Sequence, residues 1–429
     1  MTRVYFDNKI QFYNIKNKYI IYSPSNHRWF ATDKYIYDVL RYVVYNNGII
    51  NEYVKTLYEY YSDQSVYNNF KDLLLKTGVF FSSNKEYKKS INDFHRLSNK
   101  RKQFNPKVAF LMLTSKCNYN CKFCINERIV NKNTISLPTE KWELIISKLH
   151  NVGVTDYIFT GGEVLLRDDI SSLVNLIYRK YNGNITIITN GSLLTRSIID
   201  DLLPCIKRVI ISIDTISKCN EDNQVKMHNC FLIQDKLKYL SEKYPDKVEI
   251  RTVVTKDNIN SLNTIKEYIS NNFGFKYHSF VRMEPRTKTD IVEIPNDEIV
   301  VNNNFMLKEI IYPNKYKPCS AADGIIAIDE KGDIYPCQTL YGEGKMKMGS
   351  MLLNNWINEV KNSYAKKTFD RLYVDNVDVC KTCTLRYFCG GSCPALSYKI
   401  FGVFNKYLPF SCDDKKNIAK LRMVCTKLK

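Results

Sequence analysis

Cys117, Cys121 and Cys124 stand on one short stretch, with three and then two residues between them. Seven more cysteines lie between Cys319 and Cys412, and Cys380, Cys383, Cys389 and Cys393 among them are spaced by two, five and three residues. Of the chain's 14 cysteines, only Cys205, Cys219, Cys230 and Cys425 fall outside these groups. Clustered thiolates of this kind bind metal or iron–sulfur clusters. Three on one loop hold three corners of a cubane and leave its fourth iron open to a ligand molecule. A zinc site on the first loop would want a fourth nearby Cys or His, and none is present. For the later group taken alone, a structural zinc module on Cys380, Cys383, Cys389 and Cys393 is at least an even reading. The five histidines, His27, His95, His150, His228 and His278, show no metal spacing.

The first cysteine loop directly follows an apolar run, Val108–Leu113, that reads as a strand. Further strands are expected at Tyr157–Thr160, Ile185–Thr189, Val209–Ile213, Val248–Val254 and Tyr277–Arg282. Helical patterns, such as Glu140–His150, Ile170–Tyr181 and Leu262–Asn271, lie between them. Strands alternating with helices predict a parallel α/β sheet. Six such units make a partial (β/α)6 barrel rather than a full one. Ligands collect at the ends of parallel strands. Those ends carry Thr160-Gly161-Gly162-Glu163, Thr189-Asn190-Gly191, Ser212-Ile213-Asp214-Thr215 and Thr255-Lys256-Asp257-Asn258. Two glycines let backbone approach a ligand, and Glu163 offers an acceptor for an amino group. By itself that turn is an ordinary strand-to-helix connection.

Residues 1–82 read as a separate α+β unit. Short strands at Tyr19–Tyr22 and Arg28–Phe30 flank a Ser-Pro-Ser-Asn turn, three helical patterns follow, and Val79–Phe81 closes as a strand. This is the pattern of a winged helix. Residues 83–105 are polar and basic and read as a linker. Residues 106–314 hold the alternating strands and helices. From about 315 to 429 the periodicity fades, and metal is expected to hold the region.

With 429 residues, 44% of them hydrophobic, 25% charged and 31 Tyr beside 21 Phe, wholesale disorder is excluded. No apolar run reaches the length of a membrane span, so no membrane partner is expected. The N-terminus has no signal-peptide pattern, which predicts a cytoplasmic protein whose cysteines are not a disulfide framework. The net charge of +19 fits lysine and asparagine spread over a solvated surface, and it also suits an acidic peptide partner. Nucleic acid is not the expected partner.

The sequence resembles radical S-adenosylmethionine (SAM) enzymes. Cys117, Cys121 and Cys124 match that superfamily's cluster signature, with the usual aromatic, Phe123, before the last cysteine. Gly161, Gly162 and Glu163 match its methionine-amine motif, except that Val164 stands where proline is usual. Asn190 lies at a strand end on the same face. Ser212 and Asp214 match positions that commonly contact the ribose. The resemblance implies a 4Fe–4S cluster that binds SAM and cleaves it to a 5′-deoxyadenosyl radical, which abstracts hydrogen from substrate. The spacing of Cys319, Gly332, Cys337, Cys380, Cys383, Cys389, Cys393 and Cys412 resembles the SPASM extension, which implies two auxiliary 4Fe–4S clusters, three clusters in all. By that resemblance Cys319, Cys337 and Cys393 ligate the first, and Cys380, Cys383, Cys389 and Cys412 the second. Seven cysteines for eight positions imply an open or exchangeable iron, or a non-cysteine ligand such as Asp323. Residues 1–82 resemble the recognition element of ribosomal-peptide maturases, in which an extended leader adds a strand to a small sheet; a DNA-binding winged helix has the same elements.

Together these resemblances imply a maturase that binds a precursor peptide by its leader and crosslinks it oxidatively, with a thioether from cysteine sulfur to carbon as the foremost product. Its electrons would come from a flavodoxin or ferredoxin. Alternatives are a carbon–carbon crosslinking enzyme, an epimerase using Cys205, Cys219 or Cys230, an anaerobic sulfatase maturase, or a non-enzymatic iron–sulfur redox sensor with a DNA-binding winged helix. Against the sulfatase maturase, Gln338 stands where those enzymes carry an Asp.

Overall fold

A computed structural model of the protein describes residues 2–15, 17–54, 56, 70–99, 104–131, 135–216, 230–288, 290–291 and 319–425. At its centre is a nine-stranded sheet. Six strands lie in it in chain order: β1 (Val108–Thr114), β2 (Asp156–Gly161), β3 (Asn184–Thr189), β4 (Arg208–Ser212), β5 (Val248–Val254) and β6 (Tyr277–Arg282). Every neighbouring pair among them is parallel. These are the six strands the apolar runs predict, each within one residue at either end. β4 is buried along nearly its whole length, β3 alternates buried with half-buried residues, and in β6 only Phe280 is buried.

The helices turn one apolar stripe to this sheet. Thr139–Asn151 buries Trp142, Ile145, Ile146 and Leu149, at spacings of three and four. Leu262–Phe273 buries Ile265, Ile269 and Phe273 and stops at Gly274, which takes the left-handed conformation at φ 63°. The segment expected as one helix over Ile170–Tyr181 is an α-helix only to Asn175, then widens into a π turn over Leu176–Lys180.

The C-terminal region is joined to the barrel by backbone. β7 (Ile325–Ile328) pairs in parallel with β1, with Ile325 opposite Val108 and Ile328 opposite Leu111. β8 (Asp333–Tyr335) and β9 (Gly349–Ser350) then add antiparallel. The sheet order is β6-β5-β4-β3-β2-β1-β7-β8-β9. The Tyr341 hydroxyl donates to the Phe110 carbonyl at 3.1 Å, and Lys148 Nζ donates to the Met351 carbonyl at 2.7 Å. One apolar core runs from Ala109 through to Phe369 and Ala395.

The N-terminal unit has a three-stranded antiparallel sheet, Gln11–Ile15, Lys18–Ser23 and Arg28–Thr32, beside the helix Lys34–Tyr45. Asp33 caps that helix, its carboxylate accepting from the Ile36 N–H at 2.8 Å. Strand alternation sends Ile21 and Phe30 into this unit's own core, while Ile20, Tyr22 and Trp29 pack on Leu385, Phe388 and Ala419 of the C-terminal region. The expected closing strand is Phe80–Phe81, paired with Tyr5–Phe6. The second helical pattern, and the third before Phe70, lie largely outside the described residues. The stretch 83–105, read as a linker, instead holds a 16-residue helix, Asn84–Asn99. It docks through Phe94, buried against Val374 and Tyr387, and through Ser90, which accepts from the Asn26 amide at 2.9 Å. A lysine-rich helix with one apolar contact every few turns reads as polar linker in sequence. Among the described residues, no helix is long and apolar enough to cross a membrane.

Candidate active site

The Cys117 loop leaves the end of β1 through a bulge between Met112 and Thr114, which re-aims the chain over the sheet edge. Asn131 staples the loop: its side chain accepts from the Cys117 N–H at 2.8 Å and donates to the Cys117 carbonyl at 3.1 Å. The Tyr119 N–H points at the Cys117 sulfur, 3.4 Å away, and the Cys124 N–H donates to the Cys121 carbonyl at 3.1 Å. Burial pushes the Cys117 thiol up to about 11 and raises Cys124, with the neighbouring cysteines adding to both. Loading iron on these sulfurs therefore releases protons. Phe123 lies half-buried in the same turn.

The end of β2 lies directly against this loop. The Gly162 N–H donates to the Thr114 carbonyl and the Glu163 N–H to the Lys116 carbonyl, both at 2.8 Å. A β-carbon at Gly161 would overlap the Thr114 carbonyl oxygen, and one at Gly162 would overlap that of Lys116. The glycines thus press strand end and cluster loop together. The Glu163 side chain is fully buried and already engaged. Its carboxylate accepts from Thr189 Oγ1 at 2.7 Å, the Asn190 N–H at 2.8 Å and the Leu165 N–H at 3.0 Å. Glu163 therefore clamps the ends of β2 and β3, where its sequence suggests a free acceptor.

The strand ends are also tied to the cysteines sideways. Asn190 donates to the Asn118 side chain at 2.9 Å, and Asn118 donates to Ser192 Oγ at 2.8 Å. Ser212 ends β4, half-buried. Asp214 is buried, and its carboxylate accepts from the Val253 N–H at 2.6 Å, joining the ends of β4 and β5. Inside the barrel, Glu249 accepts from Arg208 at 3.1 Å and Arg251 at 2.8 Å. Arg251 is thus committed to a carboxylate of the protein itself.

The C-terminal cysteines fall into two neighbourhoods. Cys393 and Cys319 are the thiols that act electrostatically on Cys337, while Cys389, Cys383 and Cys412 act on Cys380. Burial raises Cys337, pushes Cys393 up to about 12 and pushes Cys380 up to about 11. The Ala322 N–H donates to the Pro336 carbonyl at 3.0 Å, which brings the Cys319 and Cys337 loops together. Among the described residues, no three Cys, His, Asp or Glu converge tightly enough for a single metal ion. Asp323 pairs with buried Lys366 at 2.9 Å, so that carboxylate already serves an ammonium. Cys205 packs against the main core, Cys230 lies in a short 3-10 turn, and Cys219 lies outside the described residues.

Between the Cys117 loop and the first of these groups lie charges that no motif announces. Arg128 pairs with Glu343 at 3.2 Å, and Arg286 pairs with Glu127 and with Asp290. Glu284 and Lys399 influence each other and Cys337. Desolvation raises the Glu284 carboxyl, with Lys399 and Lys415 opposing the shift, although the residue as a whole is exposed. Glu284 stands just past β6, at a sixth strand end, where the same search for polar strand ends would find it.

Residues 111–275 match the family model of the radical SAM superfamily. An uncharacterized protein of Methanocaldococcus jannaschii, MJ0907, is 30% identical over 254 residues, 55% of this chain and 86% of that one. The chain belongs to the radical SAM superfamily. An S-adenosylmethionine-dependent nucleotide dehydratase of Selenomonas ruminantium is 32% identical over 161 residues, 34% of this chain and 55% of its own. Among solved structures, Streptococcus suis SuiB bound to S-adenosylmethionine aligns over 96% of this chain and 99% of its own, with TM-score 0.56 and 17% identity. SuiB bound to the precursor peptide SuiA aligns over 94% of this chain and 98% of its own, at TM-score 0.53 and 16% identity. The fold of this radical SAM protein therefore extends the superfamily core at both ends as SuiB's does. The Cys117 loop fits the superfamily's cluster, since its three sulfurs share one loop and one backbone N–H already points at a sulfur.

Proposed function

We propose that this radical SAM protein is a peptide maturase. Residues 1–82 bind the leader of a precursor peptide, residues 106–314 carry the radical chemistry and residues 315–429 hold two auxiliary clusters. Cys117, Cys121 and Cys124 hold the SAM cluster; Cys319, Cys337 and Cys393 the first auxiliary cluster; Cys380, Cys383, Cys389 and Cys412 the second. Bound together, cluster and SAM supply a 5′-deoxyadenosyl radical able to take hydrogen from an unactivated carbon. Phe123, Gly161, Gly162, Glu163, Asn190, Ser212 and Asp214 shape the SAM site, with Glu163 and Asp214 acting as clamps of the strand ends.

The carrying observation is the charged neighbourhood that the Cys117 loop and the first auxiliary group share: Arg128, just past the loop, pairs with Glu343 at 3.2 Å, and Lys399 is influenced by Glu343, Arg128, Glu284 and Cys337 alike. A substrate held there has a hydrogen acceptor on one side and an electron acceptor on the other. Forming a thioether releases one hydrogen atom from carbon, one proton from the thiol and one electron. That balance requires an acceptor on the far side, and a flavodoxin or ferredoxin serves the SAM cluster. Gln11–Ile15 and Arg28–Thr32 are both edge strands among the described residues, so each offers backbone groups to an extended leader.

Binding tests this reading before turnover does. Titrating the full chain with the precursor peptide encoded beside its gene should show saturable binding that the leader alone retains and the core peptide alone lacks. Equal binding of neither fragment nor whole peptide would overturn the assignment.

A further inference from the structure

A groove of about 580 Å³ lies between two of the helices that cover the sheet, Arg196–Leu202 and Gln234–Lys243. Buried Leu194 and Ile199 line it together with Tyr239, which is half-buried. One carboxylate fixes the two walls: Asp200, on the first helix, accepts from the Tyr239 hydroxyl at 2.7 Å and from Lys243 Nζ at 2.6 Å, both on the second. The Arg196 guanidinium lies over the Tyr239 ring, 5.1 Å from its centre. The groove therefore has a set shape, with an apolar lining and charges held at its edge.

Its second wall is tied to the Cys117 loop. Lys236 Nζ donates to the Ser192 carbonyl at 2.5 Å. Ser192 Oγ accepts from the Asn118 amide at 2.8 Å and donates to Asn190 Oδ1 at 2.6 Å, and the Asn190 amide donates to Asn118 Oδ1 at 2.9 Å. Asn118 directly follows Cys117. Two hydrogen bonds, with Ser192 between them, thus span the distance from the groove to the cysteine loop. This end is basic. Lys236 is pinned there, the loop itself exposes Lys116 and Lys122, and no acid occurs from Lys116 through Asn126. Around the groove as a whole, Arg196, Lys236 and Lys238 outnumber Asp235 and Glu242.

We propose that this groove, with the adjoining face of the Cys117 loop, is the docking surface for an acidic one-electron carrier protein. The proposal rests on the reading that Cys117, Cys121 and Cys124 hold the SAM cluster. The carrier gives up one electron and that cluster takes it; no atom changes hands. Electron-transfer encounters are small, burying less than about 1,200 Å² in total, and opposite charge speeds them. A compact basic groove with an apolar lining suits such a partner. The route through Ser192 and Asn118 also reaches the cysteines from the helical side, which leaves the strand ends to SAM and substrate.

The test follows 5′-deoxyadenosine made by the full reconstituted chain with two reductants, dithionite and pre-reduced flavodoxin. Arg196→Glu/Lys238→Glu leaves Lys236 and the cysteine loop in place. It should keep the dithionite-driven rate, which guards against misfolding, and raise the KM for flavodoxin about tenfold. Raising ionic strength from about 0.05 M to about 0.5 M should raise the KM of the unaltered protein and barely move that of the variant. Lys361→Glu/Lys367→Glu, an equal charge reversal at exposed C-terminal lysines, should hold the KM within about twofold. An unchanged flavodoxin KM in Arg196→Glu/Lys238→Glu, or an equal rise in the C-terminal pair, would overturn the proposal. So would loss of precursor-peptide binding with the flavodoxin KM unmoved, which would give the groove to an acidic peptide. No 5′-deoxyadenosine from the unaltered protein with either reductant would overturn the SAM-cluster reading beneath it.

Discussion

A β-carbon on Gly162 would run into the Lys116 carbonyl and lie 2.9 Å from Cys117 Cβ. Gly162→Ala therefore has to push the cysteine loop away from β2. The expected result is loss of about four irons per chain with the auxiliary sites still loaded, read by iron and sulfide analysis. Gly344→Ala, where a β-carbon meets nothing within 4 Å, should leave iron content unchanged. His27 makes a prediction of a different kind. It is buried among Tyr22, Trp29, Tyr387 and Phe388, with Tyr22 its hydrogen-bond partner at 3.1 Å, and burial, helped by Arg28, pushes it down to about 3. Burial, with Lys266 adding, pushes His278 down to about 4. The unfolded chain protonates these groups near 6.5, whereas the folded chain does not. Stability is therefore full above about pH 6.5 and falls as pH drops toward 4, by about 1.4 kcal/mol per unit and per histidine. Thermal melts between about pH 8 and about pH 5.5 should show this loss, and His27→Phe should lessen its slope.

At the scale of elements, the junction between N-terminal sheet and C-terminal region rests on a few rings. Trp29 and Phe388 stand 4.7 Å apart edge to face, and His27 and Phe388 stand 4.3 Å apart. Phe388→Ala should cost about 3–5 kcal/mol. Hydrogen exchange should then rise first in Lys18–Ser23 and Arg28–Thr32, and unchanged exchange there would show that the sheet is held elsewhere. Phe388 also immediately precedes Cys389, so the same junction touches the second cysteine group. The six barrel strands are legible in sequence because parallel strands are apolar on both faces and end in polar residues. β7 is not, because four residues, Ile325–Ile328, gain their meaning only by pairing with β1 more than two hundred positions earlier. The helix Asn84–Asn99 hides for the related reason that a single buried ring, Phe94, docks it. In the site, the cysteines announce themselves by spacing. Glu284, Lys399, Asn118 and Asn131 do not, since each is one ordinary residue whose partners arrive from other elements.

At the scale of the whole molecule, one continuous sheet links the strand before the Cys117 loop to the strands around Cys337, and the aromatic junction links the Cys383–Cys389 region to the N-terminal unit. A net charge of +19 suits an acidic leader, and its attraction should weaken with salt. Raising ionic strength from about 0.05 M to about 0.5 M should lower leader affinity while SAM affinity holds, as titration of each ligand would show. The central claim is that the chain oxidatively joins a sulfur to a carbon within a ribosomally made peptide. Its most direct test is the mass of the precursor peptide after anaerobic co-expression with this protein. The account predicts a peptide lighter by two hydrogens per crosslink, with fragmentation blocked between the joined residues and a cysteine at one end of each link. A peptide of unchanged mass, recovered while SAM is cleaved, would contradict it.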